Sequence, residues 1–214
     1  MALLLYCVAD FDAPPTGALE GVSQSPLLRL EGHSLVTFVS RSSSREMWVG
    51  RPVAEAALEF HHVLQQLFRR TAILPFRFPS TIESEEELDK HLEERAAQYK
   101  TALKNFRNSV QLEARIIDSY GGRDPKCALS GTEYLREKER RATALRRLVA
   151  SFEVAAGETA KQLRTRAIEN GFRLFALVDR ERVMDFRSAL EALPVPPGLS
   201  LRISGPWPVS EFLT

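Results

Sequence analysis

The chain has 214 residues, room for one large domain or two small ones, and its 44% hydrophobic and 27% charged fractions are those of an ordinary globular protein. A formal net charge of +1 gives no global field to draw in nucleic acid or an anionic membrane. Cys7 and Cys127 each stand alone, which excludes a disulfide framework and a zinc-ligand spacing.

The opening run ALLLYCVA is short, apolar and rich in strand formers, and it ends in Asp10 and Asp12. Without a basic segment before it, it reads as a buried first strand, not an export signal. No apolar run approaches the roughly 20 residues needed to span a bilayer, so a cytosolic protein is expected. DAPPTGALEG is loop chemistry. PLLRLEGHSLVTFVSRS follows as two strands with a turn at Gly32 and His33, the second strand covered on both faces.

PVAEAALEFHHVLQQLFRR is a helix, with Pro52 in its first turn and one apolar stripe through Ala56, Phe60, Val63, Leu64 and Leu67. AILPFRFPS is aromatic and interrupted by Pro75, which places it at a sheet edge or a bulge. A second helix follows. Glu83, Glu85, Glu86 and Glu87 sit where the helix dipole is positive, and Lys100, Lys104 and Arg107 where it is negative. SVQLEARIID alternates, with Val110, Leu112, Ala114 and Ile116 on one side and Gln111, Glu113 and Arg115 on the other, as in a half-exposed antiparallel strand.

SYGGRDPKCALSG is a loop. The longest helical pattern then runs from about residue 130 to 169, opened by a Ser130/Glu133 capping box and carrying heptad-like apolar steps. A helix of that length would extend ~55 Å, so part must project unless Gly157 divides it. FRLFALVD is a buried strand, ERVMDFRSALEAL a short helix, PVPPGL a turn and SLRISG a last strand.

The expected architecture is α+β in two small domains, residues 1–107 and 108–214. Each is a mostly antiparallel sheet with helices on one face, ferredoxin-like in its βαβ steps, and the second carries the long helix and the tail SGPWPVSEFLT.

Catalytic chemistry is hard to find. Glu59 and His62 form a single Glu-x-x-His step, where di-iron bundles use two, and an ordinary helix-surface pair accounts for it. Cys7 lies in a buried strand, where cysteine behaves as a small hydrophobe. No nucleophile elbow, P-loop or dinucleotide-binding glycine motif occurs. An enzyme would have to use Cys127 or the His61/His62 pair. No catalytic, cofactor or metal residues are assigned. In YLREKERRATALRR, Glu137 and Glu139, with Glu133 just before it, interleave the basic residues, as on a solvated helix face. Any partner drawn to it would be an acidic protein, such as the acid-rich helix from Glu83.

Two proline-bearing apolar segments stand out, ILPFRFPST and SGPWPVSEF. Arg77, between Phe76 and Phe78, suits a carboxylate or an aromatic face. Trp207 has two readings: a plug folded back into a groove between the halves, or an anchor for a partner together with Phe212.

Those two segments, about 125 residues apart in sequence, resemble the signature segments of the GvpL/GvpF gas vesicle protein family, V-L-P-x-R-F-G-T and a closing G-P-W-P-P-Y-x-F. LLYCVAD resembles the family's first strand, HSLVTFVSR its second, and SGTEYLREK its G-x-x-Y-L helix opening through Gly131, Tyr134 and Leu135. The chain departs from the pattern at Pro79 and Ser80, where a glycine precedes threonine, and at Val209 and Ser210, where the family has Pro-Tyr. The resemblance implies a non-catalytic accessory protein of gas vesicle assembly, located at the vesicle and in the cytoplasm. Its implied partners are the hydrophobic shell protein and other accessory proteins, with no nucleic acid, membrane or cofactor. The candidate interface or interdomain residues are Arg77, Phe78, Tyr134, Pro206, Trp207, Pro208 and Phe212.

Overall fold

The computed structural model describes residues 2–15, 17, 19–42, 52–119 and 131–213. The chain is α+β and falls into two units, Met1–Asn108 with Trp207–Thr214, and Ser109–Pro206. The last eight residues, expected with the second domain, therefore group with the first. Val209 and Phe212 are buried there at 2% and 4% exposure, and apolar side chains of this size follow the contacts that bury them. The Ser130 cap and the loop carrying Gly121, Gly122 and Cys127 lie outside the described residues.

The first unit is built around β1 (Ala2–Asp10), buried from Ala2 to Ala9. It pairs antiparallel with β3 (Leu35–Ser42), which pairs in turn with β2 (Leu27–Gly32). The turn between β2 and β3 consists of His33 and Ser34, with φ of 53° and 58°, the left-handed pair that a two-residue hairpin demands. On its other side β1 pairs with β4 (Ile73–Pro75) and then β5 (Thr81–Ile82). The order is β2-β3-β1-β4, so the proline-bearing segment does lie at the edge.

Two helices cover this sheet from opposite sides, where one covered face was expected. Helix α1 (Val53–Phe68) brings Phe60 onto Tyr6, with ring centroids 4.9 Å apart. Helix α2 (Glu85–Phe106) brings Leu88, Leu92 and Leu103 against Leu3, Leu5 and Leu35. The reason is visible in β1: neighbouring residues point to opposite faces of a strand, and LLLYCVA is apolar at both parities. Ser84 caps α2, its hydroxyl accepting the Glu87 N–H at 3.2 Å.

The buried Tyr6 hydroxyl is matched, whereas Thr37 Oγ1 is buried with no hydrogen-bond partner among the described residues. The Tyr6 hydroxyl lies 3.1 Å from Ser40 Oγ and accepts the Val22 N–H at 2.7 Å. A Cβ on Gly21 would lie 2.5 Å from that hydroxyl, so only glycine lets the turn approach it.

The second unit runs β6 (Ser109–Asp118), α3 (Gly131–Gly157), β7 (Ala160–Ile168), β8 (Gly171–Asp179), α4 (Val183–Glu191) and β9 (Leu199–Trp207), the last residue of β9 being counted with the first unit. The long helix thus ends at Gly157, not near residue 169. Residues 160–168 form a strand antiparallel to β8. Glycine weakens the helix at that point, and the Thr159 N–H turns back onto the Ala156 carbonyl at 3.1 Å. Beyond it Gln162, Arg164 and Arg166 alternate with less polar residues, a strand period masked by the high charge. With β7 in place the order is βαββαβ, and the sheet order β7-β8-β6-β9 is that of a ferredoxin-like fold.

Both helices of this unit lie on one face. Leu112, Ile116, Leu174 and Val178 meet Phe152 of α3 and Phe186 of α4, and the two phenylalanine rings stand edge to face at 6.3 Å. Gly171 is required at the β7–β8 hairpin: its φ is 157°, and a Cβ would lie 1.9 Å from the Ile116 carbonyl oxygen.

The opposite face is more buried than its alternation suggests, with Gln111 at 4% and Glu113 at 9% exposure. Arg173 donates to both Glu113 oxygens, Nε to Oε1 at 2.9 Å and Nη2 to Oε2 at 3.0 Å, and Arg115 Nε donates to Oε1 at 2.7 Å. The Phe175 ring carries Arg173 at 5.1 Å and Arg166 at 5.6 Å. Arg115 and Arg173 are cross-strand neighbours, so the carboxylate between them cancels a like-charge pair.

Burial works to raise the Glu113 pKa, but the hydrogen bonds from Arg173 and Arg115 outweigh it and hold the group below the usual carboxylate value. A depressed folded pKa contributes stability that is complete above the unfolded value and disappears as pH falls through the folded one. Glu113→Gln is expected to cost about 1–3 kcal/mol at neutral pH and to flatten the loss of stability below about pH 4.5, checked by urea denaturation across pH. Tyr6→Phe is expected to cost about 1–3 kcal/mol by orphaning the Val22 N–H, read from the same titration at neutral pH.

Candidate functional site

The first proline-bearing segment and, from Trp207 onward, the second belong to the first unit. ILPFRFPST leaves β1 after Pro75 and rejoins it at Thr81. Between those points the Phe76 N–H donates to the Tyr6 carbonyl at 2.9 Å, and the Leu5 N–H donates to the Ser80 carbonyl at 2.9 Å. The edge is thus a bulged strand whose excess residues, 77–79, stand out between these two hydrogen bonds.

That bulge sends its aromatic rings to different helices. Phe78 packs against Phe60 of α1 at 5.1 Å. Phe76 lies 6.1 Å from His91 and 6.5 Å from Tyr99, both on α2, and His91 Nε2 is 2.8 Å from the Tyr99 hydroxyl. Arg77 is exposed between them. The Ser80 hydroxyl donates to the Arg77 carbonyl at 2.5 Å, and its guanidinium makes no ion pair among the described residues.

The tail completes this arrangement. Trp207 is half-buried and stands edge-on to His61 of α1, centroids 4.8 Å apart at 61°. Pro206 is exposed, Pro208 and Val209 are buried, and Phe212 is buried. Phe212 and Leu213 then border an open groove of about 600 Å³ with Leu74 of β4 and Tyr99, Ala102 and Phe106 of α2. The tail therefore passes from α1 on one face, by the edge strand, to α2 on the other. An edge strand so covered is withdrawn from pairing with another chain.

Of the sequence-predicted residues, Phe78, Trp207, Pro208 and Phe212 gather on this unit, with Arg77 at its surface; Pro206, exposed, is the last residue of the second unit. Tyr134 belongs to the second unit, half-buried on α3. The groove was not foreseen. Its signal was faint: Ala102 and Phe106 share a face of α2 one turn apart, yet the helix was read from its charges.

The enzyme candidates are differently employed. Glu59 Oε2 accepts the Ser23 N–H at 2.9 Å, a structural tie. The His61 pKa is pushed down by partial burial and then by neighbouring His62, and burial pushes the Cys7 thiol well up, away from thiolate. Among the described residues no cluster of three or more metal-ligating side chains forms, and no helix is long and apolar enough to cross a membrane.

A sequence profile described as gas vesicle synthesis protein GvpL/GvpF matches residues 2–119. The chain belongs to the GvpL/GvpF family. The match takes in the first strands, the bulged edge and β6. Among solved structures, gas vesicle protein GvpF from Anabaena sp. PCC7120 is similar at a TM-score of 0.76 and 16% identity, covering 100% of this chain and 98% of its own. GvpF from Microcystis aeruginosa is similar at 0.77 and 16%, with 100% and 99% covered. At that identity the likeness establishes the α+β fold with two antiparallel sheets. No curated protein matches the chain.

Trp207→Ala is expected to lower the stability of the first unit by about 1–3 kcal/mol, in keeping with partial burial of a large ring. The checks are the shift in unfolding midpoint and faster proteolytic clipping after residue 205.

Proposed function

We propose that this GvpL/GvpF protein is a non-catalytic accessory factor of gas vesicle assembly that acts at the vesicle and in the cytoplasm. It binds the hydrophobic shell protein and other vesicle proteins. The observation carrying the reading is family membership across residues 2–119, joined to an open, largely apolar groove beside a conformationally stiff tail. A wall subunit is greasy before it is assembled, and a groove bordered by Leu74, Ala102, Phe106 and Leu213 offers apolar surface to an apolar side chain without chemistry. Arg77 is exposed at this unit's bulge and supplies a charged group beside it.

Co-expression with a vesicle shell protein, followed by pull-down of this chain at low and moderate salt, tests the reading. Recovery of the shell protein under both conditions is expected, since apolar contact survives salt. Recovery in neither overturns it. Ala102→Arg, which places a charge in the groove, is expected to abolish recovery while leaving the circular dichroism spectrum unchanged. In the same assay Trp207→Ala separates the two roles of the ring: a folded variant that loses the shell protein makes Trp207 an anchor, and a folded variant that retains it makes it a plug.

A further inference from the structure

Helix α3 carries a second open groove, of about 560 Å³, unrelated to the tail. Leu148, Ala144, Pro194 and Pro196 form its apolar part, and Arg136, Arg140 and Arg147 its charged rim. All three arginines are exposed. Arg140 has only a long contact to Glu137 at 3.8 Å, and Arg136 and Arg147 have no ion pair among the described residues. Glu139 is the single acid in the lining. Arginine at this spacing is a poor choice for mere solubility and a good one for gripping carboxylates.

The same chain presents the complementary surface. The first turns of α2 expose Glu86, Glu93 and Glu94, with Lys90 the one base among them. Neither Glu93 nor Glu94 makes an ion pair among the described residues. Arg140 and Arg147 are seven residues apart on one helix, and Glu86 and Glu93 are seven apart on the other. Each pair is therefore spaced ~10.5 Å along its axis, so a single docking can satisfy both at once.

We propose that the arginine-rimmed groove of α3 receives the acidic first turns of α2 from a second copy of this chain. Donor and acceptor surfaces differ, so the contact is heterologous and adds copies in a row instead of closing a dimer. It is built on surface charge, so it assembles at low salt and separates as screening rises. This inference stands independently of the shell-protein reading, because it involves neither the tail nor its groove.

Sedimentation velocity of the full chain at about 100 μM tests it, in about 20 mM and about 300 mM salt. Concentration-dependent association at the lower salt and its loss at the higher are expected. Arg140→Glu with Arg147→Glu, and separately Glu86→Arg with Glu93→Arg, should each weaken association by about tenfold or more while leaving circular dichroism unchanged. Mixing the two double variants should restore it, since acid then meets base at both contacts. A monomer at low salt overturns the proposal and leaves the groove to a foreign acidic helix. Association that ignores the reversals, or double variants that fail to complement, overturns it as well.

Discussion

Everything in the first unit answers to one strand that cannot meet water on either side. From Ala2 to Ala9 β1 is buried, and its apolar residues occupy both parities of the strand. A sheet with such a strand at its centre must be covered twice. Helix α1 supplies Phe60 to one face and α2 supplies Leu88, Leu92 and Leu103 to the other. The bulged edge then distributes Phe76 and Phe78 between these two helices, and the tail follows the same path, touching α1 through Trp207 and bordering the α2 groove through Phe212. The two signature segments thus do related work: both fasten the edge of a doubly covered sheet.

The second unit solves the opposite problem with the same strand order. Its sheet runs second strand, third, first, fourth, as the first unit's does, yet, although Phe175 and Leu177 are buried on the other face, its main apolar cluster lies on one side. Both helices accordingly pack there. On the other side the charges are organised in place of being left to solvent. One carboxylate, Glu113, is gripped by Arg173 and Arg115, and Phe175 is flanked by two guanidinium groups. A buried pair held by this many hydrogen bonds sustains itself, whereas a lone charge there would not.

Several elements were readable because their physics is local. The hairpin at His33, the start of α1 at Pro52, the acid-rich opening of α2 and the edge position of Pro75 each follow from the residues within one or two turns. The misreading of residues 158–169 is equally physical. Leu163 continues the apolar spacing of α3, and a strand of Lys, Gln and Arg offers no hydrophobic alternation to contradict a helix. Only pairing with β8 decides it. The burial of Gln111 and Glu113 was hidden for the same reason: the partner of Glu113 is Arg173, 60 residues away. Of the candidate site, the segments and their aromatic rings were legible, but the groove they border was not, because α2 contributes to it through the small face of a helix dominated by charge.

The sequence by itself determined the α+β class, the two-unit plan, the family, and the absence of any familiar catalytic motif, since these rest on local periodicity and short motifs. Tertiary structure alone decided that the first sheet is covered on both faces, that the chain returns to its first unit at Trp207, and that the long helix stops at Gly157. The reason is common to all three: each depends on which distant surface removes an apolar side chain from water or answers an unpaired backbone group, and that is a property of contacts, not of neighbours along the chain.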